Sequence, residues 1–115
     1  MNIDSINKYS NNDLDLKIIK NISNILKNII DNDNNKSNII TIYNSISIPK
    51  ITVYNFLIKI YKYLDCGIEC YIVALIYIDK FLKKYPNIIL NNYNIHRILL
   101  IFIIIAIKYL EDIPI

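Results

Sequence analysis

The sequence predicts an all-α fold, and three observations support this. The chain has 115 residues, of which 54% are hydrophobic and 20% are charged, so it can build one small core. Apolar residues recur at spacings of three and four in several segments, which is the periodicity of helices packed on one side. Polar or turn-forming stretches separate these segments. We therefore expect an N-terminal amphipathic helix followed by three more helices.

The N-terminal helix is predicted from Asp13 to about Ile30, after a polar segment, residues 1–12, that we expect to be frayed. The sequence Asp31–Asn38 is rich in Asn and is predicted to be a loop. Because the chain holds 31 Ile and 17 Asn, we attribute this richness to compositional bias and give it little functional weight. The apolar stripe of the helix consists of Leu14, Ile18, Ile22, Ile25, Leu26, Ile29 and Ile30.

The segment Ile39–Pro49 alternates apolar and polar residues, so a strand is conceivable, but without a pairing partner we favour an extended linker. Thr52 is suited to cap a helix that begins at Val53 and ends near Asp65, because its hydroxyl can accept a free backbone N–H. One face of this helix carries Phe56, Leu57, Ile60 and Leu64.

Gly67 interrupts the pattern, and the carboxylate of Glu69 favours the positive end of a new helix, Ile68 to Lys83. This helix is apolar nearly all round, so we expect other helices to surround it.

A further helix is predicted from Ile95 to about Leu110, with Asn94 as its cap, after a turn at Tyr85-Pro86-Asn87. These elements divide the chain into residues 1–38, a tail with the amphipathic helix and loop, and 39–115, the remaining helical domain.

Composition argues against several classes of function. The net charge of +3 is spread along the chain without a basic stripe, so nucleic-acid binding has no support. The longest uncharged run, Ile98–Ile107, has ten residues, whereas a membrane span needs about 20. Cys66 and Cys70 lack the second ligand pair of a zinc site, with His96 in another segment, so we expect free, reduced cysteines and no metal.

The N-terminus lacks the features of a secretory signal, which favours the cytoplasm and/or the nucleus. No carboxylate pair, phosphate-binding loop or activated nucleophile is recognisable, so we expect neither catalytic residues nor a cofactor.

Charges within apolar helices are the remaining candidates. Asp79 is interpreted as half of a buried ion pair with Lys59 or Lys50, although a solvated position is the alternative. Lys108 could donate hydrogen bonds to a partner or simply complement the helix dipole. His96 and Arg97 begin a helix where positive charge is unfavourable, so Glu69, Asp79 or loop carbonyls should hold them.

The string SISIPKITVYNFLIKIYKYLDCGIECYIVALIYIDKF, followed by NIHRILL and AIKYLED, resembles the cyclin box. It is most similar to the phosphate-signalling cyclins, also called P- or U-type. These typically show IPxI, YLxRIxKY, CSxEC, ALIYIDR, NIHRLLL and AAKFxDD in this order. The resemblance covers about Ser45 to Asp112 and implies the first three helices of a cyclin-like box.

Cyclins bind the regulatory helix of a cyclin-dependent protein kinase and hold the kinase in its active arrangement. The resemblance therefore implies such a kinase as partner and places its contacts at the end of the last helix, with Lys108 hydrogen-bonding kinase backbone. It also implies that Asp79 stabilises the fold. The placement of charges described above gives Lys59, Lys50 and Arg97 as its candidate ion-pair partners. The kinase-binding set comprises Lys108, Tyr109, Leu110 and Glu111.

The chain departs from the family pattern in several places. Lys59 and Lys80 replace arginines and lose their bidentate geometry, and Gly67 replaces a serine that would cap a helix. Ile113-Pro114-Ile115 stands where the family continues into two further helices with a glutamate that works with the lysine. A truncated gene model, a first-exon product or an impaired cyclin would each have this sequence.

Two functions are therefore carried forward. The first is a cyclin-like regulatory subunit that regulates a cyclin-dependent protein serine/threonine kinase in the cell cycle or nutrient signalling. The alternative is a non-regulatory helical or structural fragment that self-associates through exposed apolar faces.

Overall fold

The computed structural model describes residues 3–34 and 49–111, with side chains described for residues 13–32 and 49–111. These ranges contain four helices and no strand, which confirms the all-α prediction. The predicted linker lies outside the described residues except for Pro49, and so does the predicted boundary between residues 38 and 39, which stays a prediction. The helices are α1 (Ile3–Asn34), α2 (Val53–Tyr63), α3 (Glu69–Lys84) and α4 (Ile95–Glu111).

The helices enclose one apolar core. α3 packs along α4, α1 packs along α2, and smaller contacts join α1 to α3 and α2 to α4. Ring contacts between Tyr77 and Tyr109 and between Phe81 and Phe102 show that α3 and α4 run antiparallel. Burial of this core supplies the main driving force for folding. The buried apolar residues are Ile19, Ile22, Leu26, Ile30, Leu57, Ile60, Cys70, Tyr71, Ala74, Ile78, Leu90, Ile95, Leu99, Ile103 and Ala106.

The helix α1 is longer than predicted at both ends, so it includes most of the segment expected to be frayed and the first residues of the predicted loop. Its buried stripe is also rotated relative to the prediction: Ile19 is fully buried, whereas Leu14 is 61% exposed and Ile25 is 45% exposed. A polar residue, Ser23, lies within this stripe and donates a hydrogen bond of 2.7 Å to the carbonyl of Lys20. That bond satisfies the hydroxyl and makes its burial tolerable.

The predicted capping is right for α2 and wrong for α4. The Thr52 hydroxyl accepts a hydrogen bond of 3.1 Å from Asn55 N, as expected for a cap. Asn94 stands at the start of α4, but its Oδ1 accepts from Asn91 N, and its amide donates to the carbonyl of Ile89. Asn94 therefore orders the loop before α4, a role that spacing alone does not distinguish from capping.

Candidate protein-docking surface

The outward face of α4 is apolar and uncovered in the described chain. Leu100, Ile101, Ile104 and Ile105 are between 40% and 54% exposed. Their spacing of three to four residues places them on one side of the helix, opposite the buried Leu99, Ile103 and Ala106. On α3, Ile72 and Ile76 are also exposed, so the expectation that this helix is surrounded is wrong for the described residues. A contiguous apolar surface of this kind typically marks an interaction site.

The predicted kinase-binding residues lie together at the C-terminal end of this face. Lys108 and Glu111 are exposed, and Tyr109 is 50% exposed with its ring edge against Tyr77 at 6.0 Å. Leu110 is partly buried and packs against the core. Three of the four side chains are thus free to meet a partner, while Leu110 anchors the helix end.

The prediction of a buried ion pair at Asp79 is wrong. Its carboxylate is 54% exposed and pairs with the ammonium of Lys83, one turn further along α3, at 3.0 Å. Asp79 follows the buried Ile78, and one residue turns a helix by about 100°. Its side chain therefore leaves the core, and no buried partner is needed.

The three cations that were expected to pair with Asp79 do not contact it. Lys50, Lys59 and Arg97 are exposed, and the ion pair found among the described residues involves none of them. A pair that remains in solvent, like Asp79 with Lys83, contributes about 0–1 kcal/mol to stability, so these charges are not what holds the fold.

His96 is held by a loop carbonyl, one of the alternatives that the sequence left open. Its Nε2 lies 2.7 Å from the carbonyl oxygen of Ile51, and its ring meets Phe56 edge-on at 5.0 Å. A carbonyl only accepts, so Nε2 carries the proton. The opposite nitrogen, Nδ1, is buried and has no hydrogen-bond partner. His96 thus ties the start of α4 to the segment before α2.

A polar cluster that the sequence analysis missed lies where α2 and α3 meet α1. The Tyr61 hydroxyl donates to Asp15 of α1 at 2.5 Å, and the Tyr61 ring packs edge-on against Tyr71 at 6.0 Å. The Cys66 thiol donates to the Tyr71 hydroxyl at 3.9 Å. Because Asp15 and Tyr61 are 46 residues apart in sequence, no local pattern could have paired them.

Burial controls the protonation of this cluster. It raises the pKa of Tyr61 to about 12, with the hydrogen bond and negative charge of Asp15 as further causes. It also raises the pKa of the Tyr71 phenol, which is only 1% exposed. Charged forms of these groups are disfavoured because the protein interior solvates them poorly.

Within the described ranges, the chain has neither a metal-binding cluster nor a membrane-spanning helix. No group of three or more His, Cys, Asp or Glu side chains lies close enough to hold a metal ion. No helix there combines the length and the hydrophobicity that a membrane crossing requires.

Comparison with known proteins gives a consistent result. The sequence model of the family described as Cyclin matches residues 7–114. The chain is 29% identical over 102 residues to Cyclin-U4-1 of Arabidopsis thaliana, which covers 84% of this chain and 50% of the relative. It is 34% identical over 73 residues to Cyclin-U4-2 of the same plant, covering 64% of this chain and 34% of the relative. No significant match to a solved structure was found.

A relative from a second plant agrees with these. Cyclin-P4-1 of Oryza sativa subsp. japonica is 31% identical over 74 residues, covering 64% of this chain and 35% of the relative. The chain therefore spans between a third and a half of the length of these curated relatives. Since the family model covers nearly all of its residues, the chain belongs to the cyclin family, with a box of the P/U type.

Proposed function

We propose that this chain is a cyclin-like regulatory subunit that binds a cyclin-dependent protein kinase through the outward face of α4. The observation that carries the proposal is the uncovered apolar stripe of α4, which leads into Lys108 and Tyr109 in a chain of the cyclin family. We also propose that this binding takes place in the cytoplasm and/or the nucleus.

The chemistry of the face fits the regulatory helix of a kinase. Ile101, Ile104 and Ile105 offer an apolar strip on which an amphipathic helix can lay its own apolar side. The Lys108 ammonium, in the last turn of α4, has three donors for backbone carbonyls at the end of that strip. Apolar burial would supply most of the affinity, and Lys108 would fix the register of the partner.

The apolar part of the proposal is tested with two matched isoleucines. Ile104→Glu places a charge in the centre of the α4 strip and should abolish capture of recombinant cyclin-dependent kinases by the immobilised chain. Ile25→Glu makes the same change at a similarly exposed position of α1, which packs on α2 and α3, and should leave capture unchanged. Equal capture by both variants would refute the proposed face.

The role of Lys108 needs a control for the helix dipole, because charge reversal in a last turn also weakens the helix. Lys84 lies in the last turn of α3, about 10 Å along that helix from Tyr77, which contacts Tyr109. Lys108→Glu should lose kinase binding, whereas Lys84→Glu should keep it with a similar loss of helicity by circular dichroism. If Lys108→Glu retains the kinase, Lys108 acts only on the helix dipole.

A non-regulatory fragment is the second candidate, and the same exposed face favours it. The isoleucines exposed on α3 and α4 could bind a second copy instead of a kinase. Sedimentation velocity distinguishes the two functions. A monomer whose sedimentation coefficient rises on adding the kinase supports the regulatory subunit, and an oligomer that grows with concentration supports the fragment.

A further inference from the structure

Arg97 is a charge that neither the packing of the helices nor the role of Lys108 explains. It lies in the first turn of α4, where the positive end of the helix dipole disfavours a cation. Its side chain is exposed, and the ion pair found in the described part of the chain, Asp79 with Lys83, does not include it. A residue that breaks a local rule without a compensating contact in its own chain is a candidate for function.

Arg97 lies on the same line of side chains as Lys108. Four exposed residues follow one another along α4 at spacings of four, three and four: Arg97, Ile101, Ile104 and Lys108. Such spacings are those of the a and d positions of a heptad, along which two helices pack in a coiled coil. The line, here called the α4 seam, is about 16 Å long, since each residue between its ends adds 1.5 Å. Its centre is apolar and both of its ends are cationic.

The geometry and the charges of the α4 seam together select its partner. Ile101 and Ile104 can interdigitate with apolar residues that have the same spacing on another helix. A cation in such a line must be matched by a partner group, because an unpaired buried charge is costly. It therefore fixes the register and excludes partners that lack the opposite charge. The guanidinium of Arg97 has the planar fork that binds a carboxylate through two parallel hydrogen bonds.

We propose that the α4 seam receives an amphipathic helix with a Glu or Asp carboxylate against Arg97, and that Arg97 is thereby a specificity-determining residue. On the partner helix, this carboxylate would lie about 11 residues from the group that Lys108 binds. The assignment rests on the proposed function, because it gives the chemistry of the partner at the same face. It adds a second anchor at the end of α4 that is remote from Lys108.

Charge reversal at Arg97 separates recognition from folding. Arg97→Glu places a carboxylate in the first turn of α4, where the helix dipole favours it, so the Tm measured by circular dichroism should stay the same or rise. The same variant should bind an acidic helix about ten- to a hundredfold more weakly, since a hydrogen bond between charged groups is lost. A residue that only supported the fold would not increase stability and weaken binding when its charge is reversed.

The test uses the full chain and two fluorescent helical peptides with a hydrocarbon staple and uncharged ends. Both peptides carry leucine at the two central seam positions, and one has Glu at both ends of its seam where the other has Lys. Fluorescence anisotropy should show that the unaltered chain prefers the Glu peptide and that Arg97→Glu removes most of this preference. Lys27→Glu reverses an exposed charge on α1, which packs on α2 and α3, and should leave the preference unchanged.

Capture of recombinant cyclin-dependent kinases by the same chains distinguishes the role of Arg97 from the proposed function. Capture that Arg97→Glu leaves unchanged would overturn the role of Arg97 and keep the proposed function. Absence of capture by the unaltered chain, with a peptide preference that depends on Arg97, would contradict the proposed function and keep the role of Arg97.

The peptides and the oligomeric state give the remaining outcomes. The role of Arg97 is overturned if the chain binds neither peptide, if it binds both equally, or if Arg97→Glu keeps the preference for the Glu peptide. Self-association in sedimentation velocity that Arg97→Glu abolishes would assign the α4 seam to a second copy of the chain and would also overturn the proposal.

Discussion

At the scale of single residues, the burial of Tyr61 and Ser23 is tolerated because each hydroxyl has a specific partner. The Tyr61 hydroxyl bonds to the carboxylate of Asp15 and so joins α2 to α1, while Ser23 bonds within its own helix. A hydrogen bond to a charged group is worth about 1.5–3 kcal/mol, more than an exposed ion pair such as Asp79 with Lys83. The contact of Tyr61 with Asp15 should therefore contribute more to stability than the pair of Asp79 with Lys83.

We predict that Tyr61→Phe lowers the free energy of unfolding by about 1–3 kcal/mol, because the Asp15 carboxylate loses its donor while remaining partly buried. Urea denaturation followed by circular dichroism measures the change. Asp15→Asn and the double variant complete a thermodynamic cycle. Additive losses in the two single variants would show that the two side chains do not interact.

At the scale of helices, the start of α3 lacks the side-chain cap that Thr52 gives to the start of α2. Gly67 precedes this start without a positive φ, so a residue with a side chain can adopt its backbone conformation. The Glu69 carboxylate occupies the space that a Cβ would enter, but it ends a flexible, exposed side chain that can move into solvent.

We predict that Gly67→Ser stabilises the chain by about 0.5–1 kcal/mol, since serine restricts the unfolded state and its hydroxyl can accept a free N–H of α3. Thermal unfolding monitored by circular dichroism measures the gain. Gly67→Ala restricts the unfolded chain without supplying the hydroxyl, and it should be less stable than Gly67→Ser. Equal stability of the two variants would mean that the serine hydroxyl does not cap α3.

The sequence was sufficient to locate α2, α3 and α4, but it did not give the full length of α1 or the packing of the helices. Periodicity and turn residues located the last three helices to within two residues at each end, because these signals are local. The burial of Ile19 and the exposure of Leu14 depend on where α2 and α3 contact α1, which periodicity does not contain. The same holds for Asp79: its apolar neighbours suggested burial, but α3 turns Ile78 toward the core and therefore Asp79 toward solvent.

The candidate site was only partly predictable, because local sequence patterns locate residues on a helix but not the contacts between helices. The family motif marked Lys108 and Tyr109 at the end of α4, and both are exposed there. The contacts of Tyr61 and Tyr71 were not predictable, since they join residues from separate helices. The cysteine pair was visible in the sequence as a spacing of four, but only the structure shows that burial distinguishes one thiol from the other.

At the scale of the whole molecule, the core contains several titratable side chains that the folded chain keeps in their neutral form. Cys70 and Tyr61 have pKa values of about 12 in the folded chain, against ordinary values of 9.0 and 10.0, and burial also raises the pKa of Tyr71. Burial is the largest cause in each case. These groups lie together near the contacts of α1, α2 and α3. Their ionisation therefore affects the contacts that join the α1–α2 pair to the α3–α4 pair.

We predict that the free energy of unfolding is fully retained below pH 9.0 and falls as the pH rises toward about 12. In that range the unfolded chain has released protons from Cys70 and Tyr61 that the folded chain still holds, so higher pH favours unfolding. Urea denaturation at a series of pH values, with a reductant present, measures the slope. Tyr61→Phe and Cys70→Ala should each make the decline shallower, which separates their effect from the titration of exposed lysines. A free energy of unfolding that stays constant across this range, or variants with the same slope as the unaltered chain, would show that these buried groups do not control alkaline stability.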